Sequence, residues 1–338
     1  MTDASASRPT TASIASRIRG LRAGAGIVGV HFLGDTAVFV LAEEAAVHLP
    51  KAGEERRVAL HRGAILASAG DGRRIVTGGD DGQVMLGEAG REPALLATDP
   101  DKRWIDQVAL GPDAAVAWSA GKTAYVRTGK GEVKSVDMVS SVGGLAFLPK
   151  GFRLAVAHYN GVSLWFPNAA AKPDTLNWKG SHLGITVSPD GKFLVTSMQE
   201  PTLHGWRLAD ARDMRMSGYS GRVRSMAWTA KGEFLATSGA DQIILWPFTS
   251  KDGPMGKQPT LLSPYSQRLA VVAGHPEGDV VGAGFADGMI LLTRIGDGAE
   301  ILVQAPTGAA ASALAFSPDG RQFAFGCEDG AGGVGDIG

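Results

Sequence analysis

"LGITVSPDGKFLVTS" (Leu183–Ser197) and "SALAFSPDGRQFAFG" (Ser312–Gly326) say nearly the same thing twice. In each, an apolar run meets Ser-Pro-Asp-Gly and a second apolar run follows. Pro presets φ for the first corner of a turn, Asp hydrogen-bonds its own backbone, and Gly accepts a positive φ, so the phrase reads as strand, tight turn, strand. Ser188 and Ser317 lie 129 residues apart. That is about three times a repeat of ~40–45 residues.

Weaker copies fill the interval and extend beyond it: "VHFLGDTAVFV", "LASAGDGRRIVTGG", "VALGPDAAVAWS", "LAFLPKGFRLAVAH", "MAWTAKGEFLATSG" and "VAGHPEGDVVGAGF". Their turns fall at Gly34, Gly70, Pro112, Pro149, Pro189, Ala230, Pro276 and Pro318, with a mean spacing of about 41 residues. In "GRVRSMAWTAKGEFLATSGADQIILWPF" (Gly221–Phe248) three runs rich in Val, Ile, Leu, Phe and Trp alternate with turns, and "QPTLLSP" adds a fourth. Runs this short, joined this tightly, are antiparallel strands. Each unit is therefore a four-stranded sheet, and no stretch carries a helical period.

These residues resemble the WD-repeat family of β-propellers. The resemblance rests on the Ser-Pro-Asp-Gly turns, on "SGADQIILWPF" with Asp241 ahead of Trp246, and on "NGVSLWF" with Trp165 and "PTLHGWRL" with Trp206, and it covers roughly residues 26–338. No unit keeps the Trp-Asp pair, and the Gly-His pair ahead of the first strand is missing. The resemblance implies an all-β, single closed propeller of four-stranded antiparallel blades. It also implies an N-terminal strand, around Thr11–Gly20, completing the last blade. Eight units predict eight blades, with seven plus an irregular appendage as the alternative. Radial stacking is the physical reason for a ring: it buries both faces of each sheet and leaves only short edges. Residues 1–10 are expected to be disordered and 11–338 to form the propeller domain.

Composition narrows the function. Across 338 residues, 33 Lys and Arg balance 34 Asp and Glu, so no positive excess draws nucleic acid. One cysteine, Cys327, builds no disulfide framework and fits a reducing, cytoplasmic setting. Neither an export signal nor a membrane span is expected, because no apolar run is long enough.

Motifs for chemistry fail on context. "GAGIVG" (Gly24–Gly29) satisfies the dinucleotide fingerprint but leads into a strand and turn instead of a helix. "SAGKT" (Ser119–Thr123) has Val116 where a phosphate-binding loop needs glycine. The seven histidines show no paired ligand spacing, so a metal site would have to be assembled across blades, as from His158, His182 and Cys327. No cofactor is expected. Asp81, Asn160, Asp241, Asp287 and Asp329 recur between second and third strands as turn caps, and Trp165, Trp206 and Trp246 recur as packing residues.

What remains is one rim. Loops joining successive blades open on the same end as loops between second and third strands. They carry His61, Arg62, Lys102, Arg103, Trp104, His182, Tyr219, Arg222, Arg224, Tyr265 and Arg268, joined by His158 and Tyr159. Tyr, Trp and Arg are the usual anchors of interfaces. The expected function is a non-catalytic scaffold binding a protein or peptide of some acidic character, which is also what the family resemblance implies. The alternative is a metal-dependent enzyme or sensor using the central channel.

Overall fold

The computed structural model describes residues 12–338. Residues 1–10, expected to be disordered, lie outside the described residues, as does Thr11. The described chain is built of strands, with two single-turn 3-10 helices at Ala15–Arg17 and Ala230–Gly232. Among the described residues no helix is long and apolar enough to cross a membrane.

The architecture is an all-β propeller with four-stranded antiparallel sheets as its repeating element. The first sheet shows the rule: Ile27–Leu33, Thr36–Leu41, Ala45–Leu49 and Arg56–Ala59 pair in chain order, each antiparallel to the next. Its second strand is buried along both faces, because a neighbouring sheet covers each side. The clusters between sheets are apolar. Ile105 and Trp118 of the third sheet pack with Val76 and Val84 of the second. Ile27, Phe39 and Leu41 of the first sheet pack with Ala313, Ala324 and Val334 of the last, so the two ends of the chain share one core.

Among the described residues the hydrogen-bonded sheets number seven, where eight blades were expected. The difference arises between residues 144 and 216. Leu154–Trp165 runs on as one strand through Asn160 (φ 69°) and Gly161 (φ 147°). Asp174–Val187 likewise continues through Gly180 (φ 113°). With no loop to interrupt pairing, the fourth and fifth sequence units share one six-stranded sheet, and positive φ supplies the bends.

The N-terminal segment is divided between two sheets. Ala12–Ser13 lies parallel to Glu300–Gln304 as a fifth strand. Ile18–Arg22 then pairs antiparallel with Ala331–Asp336, in register Ile18 to Gly335 and Arg22 to Ala331.

The Ser-Pro-Asp-Gly phrase forms a self-contained turn. Ser188 Oγ donates to Asp190 (2.7 Å) and accepts the Lys192 and Phe193 N–H groups (3.1 and 2.9 Å). Ser317 repeats this with Asp319 and Gln322. Neighbouring turns also nest. A β-carbon on Gly191 (φ 74°) would stand 3.0 Å from the Pro149 ring, and one on Gly232 (φ 71°) would stand 2.8 Å from the Pro189 ring.

Candidate functional site at the loop end

Both sets of rim loops meet on one end, tied by a recurrent bond from the loop between second and third strands to the incoming loop. Asp80 N–H donates to the Ala64 carbonyl (3.0 Å), Gln199 N–H to Ser181, Ala286 N–H to Arg268 and Glu328 N–H to Ala310. Of the turn caps expected there, those at Asp81, Asp287, Asp329 and Asn160 are made by side chains and that at Asp241 is not. Asp81, Asp287 and Asp329 each accept the N–H two residues on, at 3.0, 3.1 and 3.0 Å, and Asn160 accepts that of Gly180. Asp241 acts through its backbone carbonyl, which accepts from Tyr265 N–H.

Four of the predicted rim residues face inward instead. His61 is buried, with Nδ1 3.0 Å from Asp81 and Nε2 2.8 Å from the Thr77 hydroxyl. A carboxylate only accepts, so Nδ1 carries the proton, and Nε2 of the neutral ring accepts from Thr77. Burial pushes the Asp81 carboxyl upward, but hydrogen bonds from the Arg62 N–H, His61 and the Gln83 N–H outweigh it and hold the group below the usual carboxylate range. His158 donates from Nδ1 to the Tyr159 carbonyl (2.9 Å), and its Nε2 accepts from Ser163 (2.9 Å). His182 lies 2.7 Å from the Thr196 hydroxyl and donates to the Trp178 carbonyl, with burial depressing its pKa. Trp246 Nε1–H donates to Tyr219 Oη (2.6 Å), which donates to Thr237 (2.8 Å), which donates to the Ile244 carbonyl (3.0 Å). Burial pushes the Tyr219 phenol up to about 12.

His61, His182 and Tyr219 therefore pin incoming loops to second strands, His158 ties its own strand across the Asn160 bend, and all four present little to a partner. Trp165, Trp206 and Trp246 are buried, as expected for packing residues. His204 beside Trp206 is fully buried and stacks on Trp178; among the described residues neither ring nitrogen has a hydrogen-bond partner, the Asp213 carboxylate standing 3.6 Å from Nε2, and burial lowers its pKa to about 4.

Arg103 is half inward. Its guanidinium binds the buried Asp99 carboxylate (2.7 Å) and the Tyr125 hydroxyl (3.1 Å). The Arg103 hydrogen bond is the largest reason the Asp99 pKa is depressed. Tyr265 is partly buried and donates to Asp287 (2.7 Å).

The rest of the predicted set is exposed: Arg62, Lys102, Trp104, Tyr159, Arg222, Arg224 and Arg268. Trp104 is 65% and Tyr159 54% exposed, while the Arg222 guanidinium reaches only the Gln199 amide (3.1 Å).

Val139, 85% exposed in the loop before Gly144–Phe147, was not predicted. Nor was a bulge that recurs at the start of first strands. Register slips by one residue between Ile27 and Gly29, Ile65 and Ala67, Ile105 and Gln107, His182 and Gly184, Leu269 and Val271, and Ala311 and Ala313. The extra residue is Val28, Leu66, Asp106, Leu183, Ala270 or Ser312. Bulges re-aim a side chain at the rim of a closed sheet structure. A break in the apolar alternation at each strand's second residue was the available signal.

Among the described residues no group of three or more His, Cys, Asp and Glu could hold a metal ion. His158 and His182 are occupied as above, and Cys327 is buried, with burial raising its thiol pKa.

Radially packed antiparallel sheets, with loops of this kind collected on one end, define a β-propeller. Residues 213–246, which hold Tyr219, Thr237 and Trp246, match the family model described as WD domain, G-beta repeat. Elongator complex protein 2 of Danio rerio is 32% identical over 74 residues, 20% of this chain; the match spans 9% of that protein's length. The crystal structure of a computationally designed protein, Ika8, superposes with a TM-score of 0.76 over 94% of this chain and 98% of that one, at 18% identity. The fold is that of a β-propeller, and one of its repeating units matches the WD repeat.

Proposed function

We propose that the protein is a non-catalytic scaffold that captures a protein or peptide partner of some acidic character on its loop end. One observation carries the reading: bulky exposed side chains, Trp104 and Val139 on rim loops and Tyr159 at the bend of the strand Leu154–Trp165, stand on backbone fixed from within. Large side chains held in place lose little freedom on binding, which is where affinity is usually lost. Five basic residues on the same end, Arg62, Lys102, Arg222, Arg224 and Arg268, favour a partner with carboxylates. The single cysteine agrees with action in the cytoplasm.

The test is capture from an extract of the source cells on the immobilised full chain. A loop-end variant, Trp104→Ala with Tyr159→Ala and Arg222→Ala, is compared with a turn-end variant, Arg73→Ala with Lys150→Ala. Loss of bound protein with the first variant alone is expected. Capture that survives the loop-end changes, or fails equally with both variants, would overturn the reading.

A further inference from the structure

The large exposed apolar side chains of the loop end are confined to one part of the chain, while its charged side chains are spread over all of it. Val28, Leu66, Trp104, Val139 and Tyr159 are the large apolar residues exposed there, at 39–85%, and all five belong to the first four sequence units. From residue 161 onward the loop end exposes none of this kind, and the other exposed large apolar residues lie on outer strands or on connections at the opposite end.

On the apolar side Arg57 is paired with Glu43 and Arg103 with Asp99, and Arg62 is exposed with no ion pair among the described residues. Arg222, Arg224 and Arg268 sit on the incoming loops of two consecutive sheets, are exposed, and have no carboxylate partner among the described residues. Arg62 and Lys102 are exposed within the apolar arc itself. Carboxylates are present on this end too, at Asp106, Glu200 and Asp241, and the three arginines remain unpaired beside them.

Resting on the scaffold reading above, we infer that the partner segment is an extended peptide with two unlike ends. Bulky apolar side chains lie over the arc from Val28 to Tyr159, and carboxylates lie against Arg222, Arg224 and Arg268. Bulky exposed side chains on neighbouring units of one end are natural anchors for a partner's apolar groups. The arc fixes which way the segment runs, since reversal would take its apolar groups off these anchors and onto Arg222, Arg224 and Arg268.

The inference is tested on the full chain with three fluorescein-labelled synthetic peptides followed by anisotropy. The first carries Leu-Phe-Leu at one end and Glu-Asp-Glu at the other; the second has Lys in place of the acids; the third has Ser in place of the apolar residues. The first should bind, and the other two should bind at least about tenfold more weakly, a difference of about 1.4 kcal/mol. Trp104→Ala with Val139→Ser should weaken the first peptide and leave the third unchanged. Arg222→Ala with Arg268→Ala should weaken both and remove most of the salt dependence. Equal binding of the basic peptide, or no binding by any of the three, overturns the inference. If that happens while loop-end variants still abolish capture from extract, the scaffold reading stands and the sorted arrangement alone falls; if capture is indifferent to the loop end, the scaffold reading falls as well.

Discussion

The two ends of this propeller are made from similar residues put to different uses. At the turn end, Ser188, Asp190, Ser317 and Asp319 close hydrogen bonds within five residues of themselves, and Pro149 and Pro189 rest on neighbouring glycines. Little is left over to recognise anything. At the loop end the polar groups reach further: His61 finds Thr77 sixteen residues on, and Tyr219 finds Thr237 eighteen residues on. Those long links hold the loops from inside, so Trp104, Val139, Tyr159 and the three free arginines carry no load of their own. A side chain's role here follows from whether a partner lies on the strand below it. Residue type does not decide it.

The largest expected effect separates scaffold from surface. Trp206 is 2% exposed, packs edge-on to His204 and lies 5.7 Å from the ring of His182, the residue that pins one rim loop. Trp206→Ala opens a cavity between sheets and should cost about 3–5 kcal/mol, read from the denaturation midpoint. Partner capture by the fraction still folded should be unchanged. Were capture lost in folded protein, the division between buried relay and free surface would be wrong.

A smaller effect is expected at the turn end. Gly232 has φ 71°, and an added β-carbon would meet the Pro189 ring at 2.8 Å. Gly232→Ala combines backbone strain with that contact, for a loss of about 1–3 kcal/mol. Since this end faces away from the proposed site, the peptide affinities described above should not move. A variant as stable as the parent would show that the nested turns give way easily, and the contrast between ends would lose half its content.

Local chemistry was legible in the sequence. The Ser-Pro-Asp-Gly turns and the caps at Asp81, Asp287 and Asp329 depend on residues a few positions away and stand as read, whereas Asp241 caps nothing with its side chain and Asn160 reaches Gly180, twenty residues on. Features that depend on distant partners were not. His61, His158, His182 and Tyr219 looked like rim residues because they lie in or beside loops, yet their hydroxyl partners Thr77, Ser163, Thr196 and Thr237 sit on strands whose register the sequence does not print. The count of separate sheets turned on whether pairing continues through Asn160 and Gly180, which is a matter of φ at single residues. The bulges at Val28 and Leu66 are offsets of one position, smaller than a strand boundary can be placed from composition. Of the candidate site, then, the end of the molecule was legible, while the sorting of its side chains was not.

The smallest expected effect lies within one loop, where the contrast is sharpest. Arg103 and Trp104 are adjacent, yet one holds the buried Asp99 carboxylate and the other is 65% exposed with no hydrogen bond to its indole nitrogen among the described contacts. Trp104→Ala removes no buried contact area of consequence, so stability should stay within about 0.5 kcal/mol of the parent. The same substitution should still weaken the apolar-acidic peptide measurably, because aromatic anchors contribute disproportionately to binding. Thermal unfolding and anisotropy on one preparation read both quantities. A clear loss of stability from Trp104→Ala would make this side chain part of the frame like its neighbour, and the loop end would then have no residue whose only duty is outward.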